Sequence, residues 1–140
     1  MLTRILRQCA MLGVALSLCI GAPTVLAAGM GSITVRSLLG QPLVADIELT
    51  IRDKRELDGL SARIASADAL RNAGVPNTTA LLGLKASIHT GKDGRSFIRV
   101  ESVQRVTEPT MKLLIELSSA GVQSLREYNV LLEPPEVRQK

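Results

Sequence analysis

From Leu43 to Arg52 the chain alternates without a break between two kinds of side chain. Leu43, Ala45, Ile47, Leu49 and Ile51 take the odd positions, and Val44, Asp46, Glu48, Thr50 and Arg52 the even ones. A period of two puts the odd set on one face of an extended strand and the even set on the other. Such a strand needs a partner layer for its apolar side while the other side meets water.

The same period recurs along the chain. Ile33, Val35 and Leu39 precede the turn Gly40-Gln41-Pro42, and Leu60, Ala62 and Ile64 form a short segment ending at Ser66. Leu84, Ala86 and Ile88 alternate with Lys85, Ser87 and His89, and Asp93-Gly94 is a strong hairpin signal after them. On the return, Ile98, Val100 and Val106 face one way and Arg95, Arg99, Glu101 and Arg105 the other. Phe97 and Val103 disturb that split, which predicts a bulge or a covered outer face. Met111, Leu113, Ile115 and Leu117 line one face of the next strand, and Tyr128, Val130 and Leu132 one face of the last. Between these segments Ser66 reads as the N-cap of a helix over Ala67–Ala73, closed by Gly74 and Pro76, with Leu70 docked on a sheet. Asn77 to Leu82 reads as a connection or a second short helical turn.

Six to seven short strands, one short helix and turn signals about every ten residues predict a mainly β fold, an antiparallel β-sandwich. Its core must be aliphatic, because Phe97 and Tyr128 are the only aromatic residues. That scarcity also disfavours ligands held by stacking on several rings.

The first 27 residues have the pattern of an export signal: Arg4 and Arg7, an apolar run from Ala10 to Ile20, the helix breakers Gly21 and Pro23, and the small-residue site Val25-Leu26-Ala27. Cleavage is expected after Ala27 or Ala28. It would leave one domain of about 113 residues in the periplasm, with no cysteine and a net charge near +2. Lys and Arg are scattered among acids, with no stripe for nucleic acid and no later segment suited to span a membrane.

Few residues point to chemistry. His89 is the sole histidine and falls on a polar strand face, so no metal set accompanies it. Asp46 and Glu48 share the wet face of their strand, where solvation and pairing with Arg36 or Lys112 leave them ordinary carboxylates. No nucleophile elbow, phosphate loop or His–Glu metal motif occurs, so no catalytic, metal or cofactor site is expected. Tyr128 should fill the core with its ring and give its hydroxyl a backbone partner, as a tyrosine corner does. Arg126, on the same side, should reach a carboxylate or terminal carbonyls. The outward apolar residues Leu38, Val44 and Leu114, or an exposed strand edge, are the candidate interaction features.

One ordered set of residues carries a resemblance. Ile33-Thr34-Val35-Arg36-Ser37-Leu38-Leu39-Gly40-Gln41-Pro42-Leu43 opens it, followed by Ala45, Ile47, Glu48 and Leu49. Then come Ala62-Arg63-Ile64-Ala65, Gly74-Val75, Glu108-Pro109, and Arg126-Glu127-Tyr128 leading through Val130-Leu131-Leu132 to Glu133-Pro134-Pro135. Over residues 31–135 this resembles the amino-terminal periplasmic domain of the FimV family of pilus-assembly and motility proteins, with 136–140 left as a polar tail. The resemblance implies a non-enzymatic envelope module whose partners belong to a pilus or secretion system.

The chain departs from the family pattern in two places. It ends at Lys140, so the peptidoglycan-binding LysM module, membrane span and cytoplasmic part of longer relatives are expected to be missing, and peptidoglycan binding is not implied. Ser118-Ser119-Ala120-Gly121 stands where the family usually shows a hairpin with tryptophan. Other readings of the residues are a small-ligand or glycan-binding sandwich in which Arg126 and Arg99 grip an anion, a hydrolase built around His89, and a folded remnant without a partner.

Overall fold

The computed structural model describes residues 28–75 and 82–136. The expected signal segment with Ala27, most of the Asn77–Leu82 connection and most of the polar tail lie outside the described residues. The described residues hold seven strands: β1 (Gly29–Val35), β2 (Pro42–Thr50), β3 (Leu60–Ile64), β4 (Leu84–Thr90), β5 (Ser96–Arg105), β6 (Thr110–Ser119) and β7 (Val122–Leu131). They form two sheets, a four-stranded one in the order β1-β2-β5-β4 and a three-stranded one in the order β3-β6-β7. All pairs are antiparallel. Lettered in chain order, this is A-B-E-D against C-F-G, the strand arrangement of a constant-type immunoglobulin domain.

The alternation in the sequence explains the packing. Leu43, Ala45, Ile47 and Leu49 of β2, Ile98 and Val100 of β5, Leu113, Ile115 and Leu117 of β6, and Tyr128 and Val130 of β7 enclose one core. The inward sides of both sheets supply it, and no disulfide joins them.

Two irregularities keep the inward sides in phase. In β1, Met30 pairs with Leu49 and Ile33 with Ile47, so the chain takes three steps against two and bulges at Gly31-Ser32. The extra residue re-phases the strand: Ala28 and Met30 face the core before it, Ile33 and Val35 after it. A Cβ on Gly31 would stand 3.1 Å from Glu48 Cβ, which accounts for glycine at the bulge. The second bulge is in β5, where Arg105 pairs with Pro42 but Glu101 with Val44. Ser102 bridges it: its hydroxyl accepts from the Leu43 amide at 2.7 Å and donates to the Gln104 carbonyl at 2.6 Å. The disturbance at Val103 is this bulge, while the one at Phe97 is an outer face covered by neighbouring side chains.

Helix α1 (Ala67–Asn72) starts at Ser66, whose hydroxyl accepts from the Ala69 amide at 3.2 Å. It ends before Gly74, which has φ +70°. Leu70 packs with Ala65, Val75 and Leu114 in a small second cluster on the outer side of the three-stranded sheet. One element was not anticipated. A 3₁₀ turn, Lys54–Gly59, is capped by the Asp53 carboxylate, which accepts from the Arg55 amide. It buries no residue, so it leaves no apolar period to read.

Candidate interaction surfaces

At one margin of the sandwich, β7 approaches the bulge of β1. The Tyr128 ring is buried in the core and its hydroxyl donates to the Gly31 carbonyl at 2.9 Å. Arg126 lies over that ring, 5.3 Å from its centroid, and its guanidinium donates to the Met30 carbonyl. Two successive carbonyls at the bulge are thus held by two side chains from the facing sheet. Burial raises the Tyr128 pKa above its ordinary value, and the nearby Arg126 charge offsets part of that rise. Tyr128 sits on the seventh strand rather than at the start of the sixth, where a tyrosine corner lies.

The outer face of the four-stranded sheet carries a polar cluster that corrects the reading of Asp46. This carboxylate is only 7% exposed. Arg99 of β5 donates to it from Nε at 2.9 Å and from a terminal nitrogen at 3.2 Å, and Arg36 pairs with it from beyond β1. The Arg99 hydrogen bonds, aided by Arg36, hold its pKa below the usual carboxylate value against the opposing effect of burial. Alternation identified the face correctly, but two arginines close over the carboxylate and shield it from water. Glu48 does remain exposed and accepts from the Ser32 hydroxyl at 3.0 Å. Lys112 is not a partner for this pair; it lies on the other sheet and bridges to Glu127 at 3.0 Å.

His89 is exposed on the same outer face. Its ring stacks on Phe97 with centroids 5.7 Å apart, and Nε2 lies 2.8 Å from the Ser87 hydroxyl. The Arg99 guanidinium lies over the same Phe97 ring, 5.1 Å from its centroid. This is an open strand surface. A hollow of about 630 Å3 at one end of the sandwich is lined by Glu48, Ile51, Arg52, Lys54, Leu57 and Arg95 among others. A smaller one of about 300 Å3 includes Arg36, Asp46, Arg95 and Phe97. Neither His89 nor Arg126 lines either hollow. Arg126 and Arg99 lie on different sheets, one at the inner margin and one on an outer face, so they do not converge on one anion. Among the described residues no group of three His, Cys, Asp or Glu side chains is placed to hold a metal ion.

The apolar candidates separate. Leu38 is half-buried in the β1–β2 loop, where its amide donates to the Gln41 side chain, and Val44 is half-buried on the outer face of β2. Leu114 is a correction: it does point outward from β6, but α1 covers it and leaves 6% exposed. Among the described residues, the large apolar side chains that reach solvent are Val103 and, on β7, Val122, Leu125 and Leu131. The signal for two of them was present, since alternation that turns Tyr128 and Val130 inward turns Leu125 and Leu131 outward.

These features define an immunoglobulin-like sandwich whose described surface offers strand edges and side-chain patches. Residues 28–135 match the model of the FimV N-terminal domain, described as an Ig-like domain, and the chain belongs to that family. It is 39% identical over 108 residues, 76% of its length, to the motility hub protein FimV of Pseudomonas aeruginosa, in both strain PAO1 and strain UCBPP-PA14. The match spans only 12% of the length of those relatives. No solved structure matches the chain. No helix among the described residues is long and apolar enough to cross a membrane.

Proposed function

We propose that this domain is a non-enzymatic protein-interaction module of the periplasm, exported by its first 27 residues and acting in the assembly of a pilus, motility or secretion system. The observation that carries the reading is family membership over residues 28–135, in which the relatives are named motility hub proteins. The fold supports it: an immunoglobulin-like sandwich presents edges and outer faces to other proteins, and strand addition needs no catalytic group. A glycan or small-anion site at Arg126 is disfavoured, because that guanidinium is committed to Met30 and Tyr128.

Two measurements test the reading. Fractionation of cells making the chain should find it in the periplasmic fraction, shortened at its amino terminus. Capture from a cross-linked envelope extract should enrich pilus, secretin or motility components over a charge-matched immunoglobulin-like control. Retention in the cytoplasm, or equal recovery with the control, would overturn it.

A further inference from the structure

We infer that the larger hollow, where the β2–β3 connection (51–59) meets the β4–β5 hairpin (91–95), is a docking site for an acidic peptide segment of a partner protein. The segment it fits carries carboxylates beside aliphatic side chains. This rests on the interaction-module reading and names the chemistry of the partner.

The hollow, about 630 Å3, falls within the roughly 300–1,000 Å3 of ligand sites. Arg52, Lys54 and Arg95 line it, against a single carboxylate, Glu48. All three cations are exposed. The Arg52 and Lys54 side chains make no hydrogen bond or ion pair with any described residue, and Arg95 has only a long contact of 3.8 Å with Asp93. Other arginines are committed: Arg36 and Arg99 to Asp46, Arg63 to Glu116, Arg71 to Asp68, and Arg126 to the Met30 carbonyl. The acids of the two connections do not line the hollow. Asp53 and Asp93 each accept from a backbone amide two residues on, at Arg55 and Arg95, and Glu56 accepts from the Arg52 amide at 3.4 Å. Local turn chemistry thus turns carboxylates back onto the chain and leaves the cations facing the opening.

The rest of the lining narrows the ligand. Ile51 and Leu57 are half-buried and apolar, so an aliphatic group carried next to the charge gains by entering. No aromatic ring lines the hollow, so neither a base nor a sugar finds a face to stack on. A bilayer surface meets its basic residues on a projecting patch, whereas these border a concavity. An extended peptide with alternating carboxylates and aliphatic side chains satisfies both parts of the lining. Each exposed ion pair contributes little alone, but together the cations attract acidic segments and reject basic ones.

Nuclear magnetic resonance of the full chain, titrated with a capped hexapeptide of alternating glutamate and leucine, tests this. Amide shifts centred on 50–57 and 90–96 should saturate below about 1 mM peptide. The affinity should fall as salt is raised. The triple variant R52Q/K54Q/R95Q should bind about tenfold more weakly, and so should a probe with glutamine for glutamate. A probe with serine for leucine should also lose about tenfold or more. Circular dichroism establishes that the sandwich of the variant is intact. No shift at about 1 mM peptide, shifts centred elsewhere, a triple variant that binds as tightly as wild type, or a serine probe that binds as tightly as the leucine one would overturn the proposal. So would binding to phosphatidylglycerol vesicles with no response to the peptide, which assigns the cations to a membrane surface. A triple variant that captures envelope proteins as well as wild type would overturn the docking site and leave the module reading standing. A chain that binds the peptide at the hollow and captures no envelope protein would do the reverse.

Discussion

The Tyr128 hydroxyl spans the margin of the sandwich to donate to the Gly31 carbonyl at 2.9 Å, joining residues 97 apart in sequence. The contact falls where β1 bulges, and two successive carbonyls there find donors on the opposite sheet. Arg126 serves Met30 as Tyr128 serves Gly31. A strand at the edge of its own sheet is thereby fastened to the other one, and the amino-terminal end of the domain is closed.

Replacing Tyr128 by Phe keeps the ring and removes one buried hydrogen bond, at a cost of about 1–2 kcal/mol. Replacing Arg126 by Ala removes a charge-assisted bond and the packing over the ring, at a cost of about 1–2 kcal/mol. Both changes loosen the same end of β1, so the double variant should lose less than the two single losses added together. Urea unfolding of the four chains measures this, with a common m-value as the check that the unfolding transition is unchanged.

The same tyrosine sets a limit on the alkaline side. Its folded pKa lies above the ordinary 10.0 because burial disfavours the phenolate. Below pH 10 the hydroxyl is neutral whether the chain is folded or not, and its contribution is fully present. As pH rises past the unfolded value, only the unfolded chain ionises freely, so stability falls. Unfolding free energies measured from pH 9 to pH 11.5 should show a downward slope in wild type that is smaller in Tyr128→Phe.

Asp46 works in the opposite direction. Arg99 and Arg36 keep its folded pKa below the ordinary 3.8. Its contribution is present above the unfolded value and is lost as pH falls through the folded one. Asp46→Asn should therefore cost about 1–2 kcal/mol at pH 7. It should cost progressively less below about pH 4, where wild type loses the same interaction. Convergence of the two acid-unfolding curves at low pH is the expected observation; a constant gap down to pH 2 would mean that the charge is not what matters.

Much of this architecture was legible because burial in a sandwich follows the pleat. Leu43 to Leu49, Leu113 to Leu117, and Tyr128 with Val130 are buried as their alternation requires. The helix cap at Ser66 and the left-handed Gly74 followed from local chemistry. The misreadings share a cause: alternation tells which way a side chain points, not what lies above it. Asp46 and Leu114 both face outward as expected, and both are buried, one by two arginines and the other by α1. Arg99 is 53 residues from Asp46, so the pairing depends on β5 lying beside β2, which no short window of sequence records. The bulge in β1 was equally hidden, since Ala28 and Met30 on one phase and Ile33 and Val35 on the other look like an unpatterned run until the register is known.

The β6–β7 hairpin supplies the last test. Ser119 pairs with Val122, which leaves a loop of Ala120 and Gly121 with φ of +48° and +82°. Two central residues with positive φ define a type I′ turn, whose twist matches that of the flanking strands. Glycine enters that region freely, but Ala120 carries a Cβ there, at a cost of about 1 kcal/mol. Asparagine tolerates the same conformation better and is the preferred first residue of such a turn. Ala120→Asn should therefore stabilise the domain by about 0.5–1 kcal/mol, and Ala120→Val should destabilise it, because branching at Cβ makes the left-handed conformation worse. Thermal unfolding of the three chains decides the order. If the asparagine variant melts at or below wild type, the turn does not hold Ala120 in the left-handed region.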